Sequence, residues 1–201
     1  MKKIAIIDYG LGNLRSVSRG LEKAGAYAFV TCDQEEIAAA DGLVLPGVGA
    51  FHEGMEQLGE LKNTVKEATR SVPLLGICLG MQMLLDSSEE YGIHAGLGLI
   101  PGNVKRFPHG SGQKVPHMGW NSLSVCDRDH PLFAGFGKEE YVYFVHSFYA
   151  DTAPAYTLTS TEYICPFASS VGSKNTFGTQ FHPEKSGAIG LRLLSNFIGM
   201  V

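Results

Sequence analysis

The chain has 201 residues, of which 44% are hydrophobic, and a formal net charge of −4 at pH 7. This length and composition suit one hydrophobic core, so a single domain over residues 1–201 is predicted. The acidic balance and the lack of a long basic stretch argue against a nucleic-acid-binding protein. No apolar run reaches the roughly 18 residues that a membrane-spanning helix needs.

The spacing of cysteines and histidines indicates whether the protein has disulfides or a metal site. The four cysteines are scattered and form no CxxC pair, which favours a reduced, cytoplasmic protein over a disulfide scaffold. The seven histidines show no HxH or HxxxH spacing, so no metal site is predicted. The N-terminal apolar run ends at Asp8 and a glycine turn, which indicates a first β-strand rather than a secretory signal.

The first half of the chain alternates predicted strands and helices. In chain order we expect strand 3–8, helix 12–24, strand 28–31, helix 35–40, strand 42–45, helix 53–70, strand 73–77 and helix 79–87. Strands that are apolar almost throughout and alternate with helices indicate a parallel sheet covered on both faces.

The second half is richer in strands. We expect strands at 103–107, 118–125, 141–147, 156–162, 168–171 and 176–182, an exposed loop at 107–114, and a final amphipathic helix near 189–198. The predicted fold class is therefore α/β. Its central sheet is mostly parallel and flanked by helices, as in flavodoxin-like proteins, and the second half adds further strands.

The segment GICLG at residues 76–80 follows an apolar strand and precedes a helical pattern. This is the context of a nucleophile elbow, in which a tight turn flanked by small residues exposes the central side chain, here Cys78. The helix N-terminus behind Cys78 favours its thiolate, and the N–H of Leu79 can point at a developing oxyanion. A buried structural cysteine is the alternative, and the motif alone does not decide between the two.

A second segment, TQFHPE at residues 179–184, ends a predicted strand. Residues two apart in extended chain face the same side, so Glu184 can reach the ring of His182. The imidazole is then oriented for proton transfer with Cys78, as nucleophilic catalysis by cysteine requires. Each residue alone is better explained as an ordinary surface side chain, but together with the elbow they favour catalysis.

A third segment, PGVG at residues 46–49, follows a predicted buried strand. In a parallel sheet this turn lies on the same carboxyl edge as Cys78. Its glycines allow a close backbone approach, so the N–H of Val48 can form an oxyanion hole with that of Leu79. An ordinary strand-to-helix turn also uses Pro and Gly, which makes this a weak signal by itself.

These segments resemble a known family. The motifs DYGLGN, PGVGAF, GICLGMQ, PHMGWN, YFVHSF and GTQFHPEKS are similar, in order, to those of class I glutamine amidotransferases. Within the family, PGVGAF, PHMGWN and HPEKS are typical of the glutaminase subunits of imidazole glycerol phosphate synthases, which act in histidine biosynthesis. The resemblance covers almost the whole chain.

The resemblance implies specific roles. Cys78 is the nucleophile, His182 the general acid and base, and Glu184 the residue that orients the imidazole. The residues that it implies for glutamine binding are Gly49, Gln82, Glu90, Ser147 and Phe148. Glu89 is the neighbouring alternative to Glu90 in the polar loop SSEEYG. No metal or redox cofactor is implied.

The resemblance also implies a partner. Family members pass ammonia to a cyclase subunit with a (β/α)₈ barrel, which makes imidazole glycerol phosphate and aminoimidazole carboxamide ribonucleotide. Trp120, Tyr143 and Lys185 match positions at that interface, and an exposed set of aromatic and cationic residues suits an interface anchor. For Trp120 a place in the core is an equal alternative.

Other functions stay open at this point. A free-standing cysteine hydrolase of the same fold would act without a partner, although PGVGAF and PHMGWN argue against it. A binding module with a decayed site would lack part of the triad, whereas all three residues are present. An amidotransferase subunit of another synthase is the nearest alternative, since it would share the chemistry and differ in the acceptor.

Overall fold

The computed structural model describes residues 1–108, 110 and 112–201. The strands are β1 (Lys3–Ile7), β2 (Tyr27–Thr31), β3 (Gly42–Leu45), β4 (Leu74–Ile77), β5 (Ser87–Ser88), β6 (His94–Ala95), β7 (Asn103–Arg106), β8 (His117–Val125), β9 (Glu140–His146), β10 (Phe148–Asp151), β11 (Thr157–Glu162), β12 (Pro166–Ser173) and β13 (Thr176–Thr179). The α-helices are α1 (Leu14–Lys23), α2 (Gln34–Ala38), α3 (Phe51–Leu58), α4 (Leu61–Ala68), α5 (Leu79–Met83) and α6 (Gly187–Met200). No helix in the described residues is long and apolar enough to cross a membrane.

The centre of the sheet is parallel. Its order is β2–β1–β3–β4–β13, and every one of these neighbouring pairs is parallel. Beyond β13 the sheet continues through the antiparallel strands β12, β10 and β7, while β11 links β12 to the β8–β9 hairpin. The predicted α/β class is confirmed, and the antiparallel strands account for the strand-rich second half.

The core lies on both faces of this sheet. Alternate residues of β1 face opposite sides: Ala5 and Ile7 pack in one apolar cluster, Ile4 and Ile6 in the other. Helices α2, α3 and α4 contribute to the first cluster, and α1 and α6 contribute to the second. With its faces covered, the sheet is open to a ligand at the carboxyl edge of its parallel strands.

Several predicted boundaries are wrong. The predicted helix 53–70 is two helices, because Gly59 adopts φ +46° and directs the chain into a turn. The predicted helix 79–87 ends at Met83, and the predicted strand 176–182 ends at Thr179. Strand β10 was not predicted. A single residue separates it from β9. At this point the chain stops pairing with β8 and starts pairing with β7.

The predicted exposed loop at 107–114 is only partly correct. Phe107 is buried and packs among aromatic rings, whereas Pro108, Gln113 and Lys114 are exposed. Residues 109 and 111 lie outside the described residues.

Candidate active site

The GICLG segment forms the strand–turn–helix that its sequence predicted. Cys78 lies between β4 and α5 with φ 55° and ψ −108°, a backbone conformation that is strained for a residue with a side chain. A Cβ atom on Gly80 would lie 1.8 Å from the Leu45 carbonyl oxygen, so only glycine fits where the turn passes β3. This close approach holds the thiol at the carboxyl edge of the sheet.

His182 and Glu184 form a buried pair. The distance from His182 Nδ1 to Glu184 Oε1 is 2.9 Å, and both side chains are almost fully buried. The contact was predicted, but the reason given for it was wrong, because the strand has already ended at Thr179. Instead a 3₁₀ turn at Pro183–Lys185 folds Glu184 back onto the ring.

The electrostatic environment favours the imidazolium form of His182. Burial lowers its pKa, but the attractive interactions of the imidazole with Cys78 and Glu184 outweigh burial and raise the pKa to about 9. Among the described residues, His182 Nε2 is buried and has no hydrogen-bond partner. Since Glu184 occupies Nδ1, Nε2 is the nitrogen that can exchange a proton at the thiol.

Cys78 and His182 open into a common cavity of about 370 Å³. The predicted oxyanion-hole and glutamine-binding residues also line it: Val48, Leu79, Gly49, Gln82, Glu90, Ser147 and Phe148. Three further lining residues, Pro116, Val145 and His146, were not predicted. The cavity thus gathers the residues expected for glutamine chemistry from five separate parts of the chain, except Glu184, which contacts His182 instead.

Two polar side chains of the cavity are held by protein contacts. Gln82 Nε2 donates to the Phe148 carbonyl oxygen and to Gln180 Oε1, both at 3.0 Å. With both N–H bonds used, Oε1 is the atom of Gln82 that can accept from a ligand. Glu90 Oε2 accepts the Phe51 N–H at 2.7 Å, so this carboxylate stabilises the start of α3 while it lines the cavity.

The PGVG turn packs against the elbow. A Cβ atom on Gly47 would lie 2.3 Å from Tyr9 Oη and 2.9 Å from Leu79 Cβ, so there is no space for a side chain at this position. The Tyr9 hydroxyl donates to the Pro46 carbonyl oxygen at 2.6 Å, and burial, followed by the charge of Cys78, raises the pKa of Tyr9. Leu79 begins a helix, so its N–H has no intrahelical acceptor and is available to a ligand.

Gln180 is a residue of the site that the sequence reasoning missed. It is fully buried, and its Nε2 atom lies 3.7 Å from Cys78 Sγ, within donor distance of sulfur. Gln180 lies two residues before His182 in the TQFHPE segment. In extended chain such residues face the same side, so this spacing could have indicated that Gln180 belongs to the site.

A cluster of aromatic and cationic residues lies on the outer face of the β8–β9 hairpin. The rings of Trp120 and Tyr143 meet edge to face at 6.2 Å, and Lys185 Nζ lies 5.9 Å from the Tyr143 ring centre. Trp120 is 57% exposed, which excludes a place in the core. Met118 and Tyr141 are exposed on the same hairpin, and with Trp120 and Tyr143 they form what we term the aromatic face.

The chain belongs to the class I glutamine amidotransferase family, whose sequence model matches residues 5–200. It is 57% identical to the imidazole glycerol phosphate synthase subunit HisH of Methanosarcina barkeri and 58% identical to that of Methanosarcina mazei, with full coverage of both chains in each case. The resemblance that the motifs indicated is therefore confirmed, and so is the enzyme class. The structure of PurLQS from Thermotoga maritima shares the fold, with a TM-score of 0.78 at 20% identity over 100% of this chain and 99% of that one.

Proposed function

We propose that residues 1–201 form one glutaminase domain, the subunit of imidazole glycerol phosphate synthase that hydrolyses glutamine with Cys78, His182 and Glu184. The observation that carries the proposal is the shared cavity. It joins a strained cysteine elbow, an imidazole with a free buried Nε2, and the polar residues expected to hold glutamine.

In the first half of the reaction, the Cys78 thiolate attacks the side-chain amide carbon of glutamine. The N–H groups of Leu79 and Val48 stabilise the oxyanion of the tetrahedral intermediate. His182 donates its Nε2 proton to the leaving nitrogen, so ammonia departs and a γ-glutamyl thioester forms. A pKa of about 9 means that His182 holds this proton at neutral pH.

In the second half, His182 is neutral and accepts a proton from a water molecule. The water oxygen attacks the thioester carbon, and the Cys78 thiolate leaves, which releases glutamate. The net reaction consumes glutamine and water and produces glutamate and ammonia. Glu184 holds the imidazole in one orientation and stabilises its charged form in both halves, as the 2.9 Å contact allows.

Glutamine is held at three places in this proposal. Glu90 supplies a negative charge for the α-ammonium group, and Gln82 supplies the Oε1 acceptor. Gly49 and the backbone at Ser147 and Phe148 line the remaining wall, where main-chain N–H groups can donate hydrogen bonds to the α-carboxylate. A substrate with one positive and one negative end therefore finds complementary groups.

The partner in this proposal is a cyclase subunit with a (β/α)₈ barrel, which docks on the aromatic face and Lys185. A large exposed aromatic cluster beside a cation suits a protein interface better than a solvated surface. Val145, on the same hairpin, lines the cavity, so a partner on this face lies near the point where ammonia is released. Direct transfer prevents ammonia from being protonated in bulk water.

We also assign the chain to the cytoplasm. Support comes from its cysteines, which are all free in the described structure and include the exposed Cys32 and Cys126.

The test is glutaminase activity of the chain alone and with a candidate cyclase subunit and its nucleotide substrate. We expect a large rise on adding both, and loss of activity in Cys78→Ala. High activity alone that the cyclase does not change would support a free-standing hydrolase. Activation by a different synthase would assign the chain to another pathway.

A further inference from the structure

Two buried histidines beside the cavity have no part in the mechanism above. His117 on β8 and His146 on β9 are paired across the hairpin and are 3% and 6% exposed. Their rings pack in an aromatic cluster in which Tyr163 stacks on His117 at 4.0 Å and Phe167 contacts both. His146 also lines the cavity, so one end of the pair reaches the proposed glutamine site.

The hydrogen bonds fix the position of each proton in this pair. A carbonyl oxygen can only accept, so His146 Nδ1, which lies 2.8 Å from the Phe148 carbonyl oxygen, must carry a proton. His146 Nε2 then accepts from His117 Nδ1 at 3.0 Å. His117 Nε2 in turn accepts from Asn121 Nδ2 at 3.3 Å. The three side chains form a relay that donates in one direction, from Asn121 to Phe148.

Both rings are neutral in this arrangement. Burial lowers the pKa of His146 to about 3, although the hydrogen bond to the Phe148 carbonyl opposes it, and burial lowers the pKa of His117 to about 4. Neutral rings keep one donor and one acceptor each, as the relay requires. The relay is therefore intact at neutral pH.

The relay ends at the Phe148 carbonyl oxygen, which accepts two hydrogen bonds in the proposed glutamine site. The Phe148 carbonyl oxygen accepts from His146 and also from Gln82 Nε2 at 3.0 Å. Gln82 Nε2 continues to Gln180, whose amide lies 3.7 Å from Cys78 Sγ. The other end of the relay is Asn121, which follows Trp120 in β8. Asn121 Nδ2 also donates a hydrogen bond to the Glu162 carbonyl oxygen at 2.9 Å, which fixes the position of this side chain.

We infer that His146 and His117 are positioning residues for glutamine: their relay fixes the Phe148 carbonyl and, through it, the Gln82 amide, and so ties the substrate pocket to the hairpin that carries the aromatic face. This inference rests on the proposed function. It assigns the two histidines to substrate affinity and leaves the chemical step to the triad.

The test compares two substitutions of His146 in the complex with the cyclase subunit. His146→Leu removes both relay nitrogens, whereas His146→Asn keeps an amide N–H close to the place of Nδ1. We expect the KM for glutamine to rise about tenfold in His146→Leu, with kcat within about threefold, because a buried acceptor loses one donor. His146→Asn should recover most of that loss.

A second readout separates positioning from general damage. Alkylation of Cys78 by a glutamine-shaped diazoketone, 6-diazo-5-oxo-L-norleucine, should slow in His146→Leu, while alkylation by iodoacetamide should not change. Phe167→Leu is the matched control, since it loosens the same aromatic cluster without removing a hydrogen bond. An unchanged KM for glutamine in His146→Leu would overturn the inference. Equal slowing of alkylation by both reagents would overturn it too, because that result would mean that the substitution only loosens the core.

If His146→Leu does not fold, Asn121→Ala provides the test, because it leaves both rings in place. Its KM for glutamine should rise about threefold, and an unchanged value would again overturn the relay. Absence of glutaminase activity in the unmodified complex would instead refute the proposed function. The two failures are therefore distinguishable.

Discussion

The Cys78 N–H donates to the carbonyl oxygen of Thr179 at 2.7 Å. This bond continues the parallel pairing of β4 and β13, in which Ile77 is already opposite Thr179. Strands β4 and β13 therefore end at the same level of the sheet. The Cys78 elbow after β4 and the segment after β13 that contains His182 start side by side. Adjacent parallel strands thus bring Cys78 and His182, the proposed nucleophile and base, to one sheet edge although they are far apart in sequence.

The elbow depends on Gly80. A Cβ atom there would lie 1.8 Å from the Leu45 carbonyl oxygen, and backbone cannot move aside as a flexible side chain can. Gly80→Ala should lower the free energy of unfolding by about 3 kcal/mol or more and abolish glutaminase activity. Urea denaturation and an activity assay measure both effects.

Gly199→Ala is the control for this prediction. Gly199 lies in α6, and a Cβ atom there would have no neighbour within 4 Å. Alanine should therefore stabilise the helix by about 0.5–1 kcal/mol and leave activity unchanged. Equal stability in the two variants would mean that the turn does not pass β3 as closely as described.

The pKa of His182 predicts the alkaline limit of activity. With a pKa of about 9, the imidazolium that protonates the leaving nitrogen is present at neutral pH and is lost as the pH rises through 9. We expect kcat/KM to fall in that range. Glu184→Gln removes a charge that raises this pKa, so the fall should move to lower pH and kcat should drop at least about 10²-fold.

Glu56→Gln is the matched control for Glu184→Gln. Glu56 also lies beside a histidine, with Oε1 3.3 Å from His52 Nε2, but both side chains are exposed. The same substitution should leave the pH–rate profile unchanged there. NMR titration of His182 gives an independent value, and an unshifted pKa in Glu184→Gln would contradict the role assigned to the carboxylate.

Glu90 should determine glutamine affinity through its charge. Glu90→Gln keeps an oxygen that can accept the Phe51 N–H, so stability should change by less than about 1 kcal/mol. The ammonium group of glutamine loses its ionic partner, so KM should rise about tenfold or more. Steady-state kinetics of the complex measure this.

Glu89→Gln distinguishes the two neighbouring carboxylates. Glu89 Oε1 accepts the Arg106 N–H at 2.8 Å and does not line the cavity that contains Cys78. Its KM for glutamine should therefore match that of the unmodified chain. A larger effect from Glu89→Gln than from Glu90→Gln would reverse the assignment.

Trp120 should dominate binding of the partner subunit. Its exposed ring contacts Tyr143, so Trp120→Ala should raise the Kd of the complex at least about tenfold, as large aromatic anchors do. Tyr27→Ala is the control, because Tyr27 is also exposed but lies on the edge strand β2. Calorimetric titration measures both, and equal Kd values would exclude the aromatic face as the interface.

Much of the fold was predictable because it follows from local patterns. Buried strands β3 and β4 and the elbow between β4 and α5 were all expected from short apolar runs beside glycines. The break at Gly59 was missed because apolar residues continue at helical spacing on both sides of it. Strand β10 was missed because it is short and follows β9 after a single residue.

The sequence by itself determined the residues of the proposed chemistry, because the GICLG, PGVG and HPE segments need particular residue types for local backbone reasons. The tertiary structure decided which distant groups complete the site. It brings Gln180 beside Cys78, His146 beside the Phe148 carbonyl and Trp120 to the surface. Such contacts depend on strand register, on bends such as the one after His146, and on the turn at Pro183–Lys185. Tertiary packing sets these features, and no local sequence pattern specifies them.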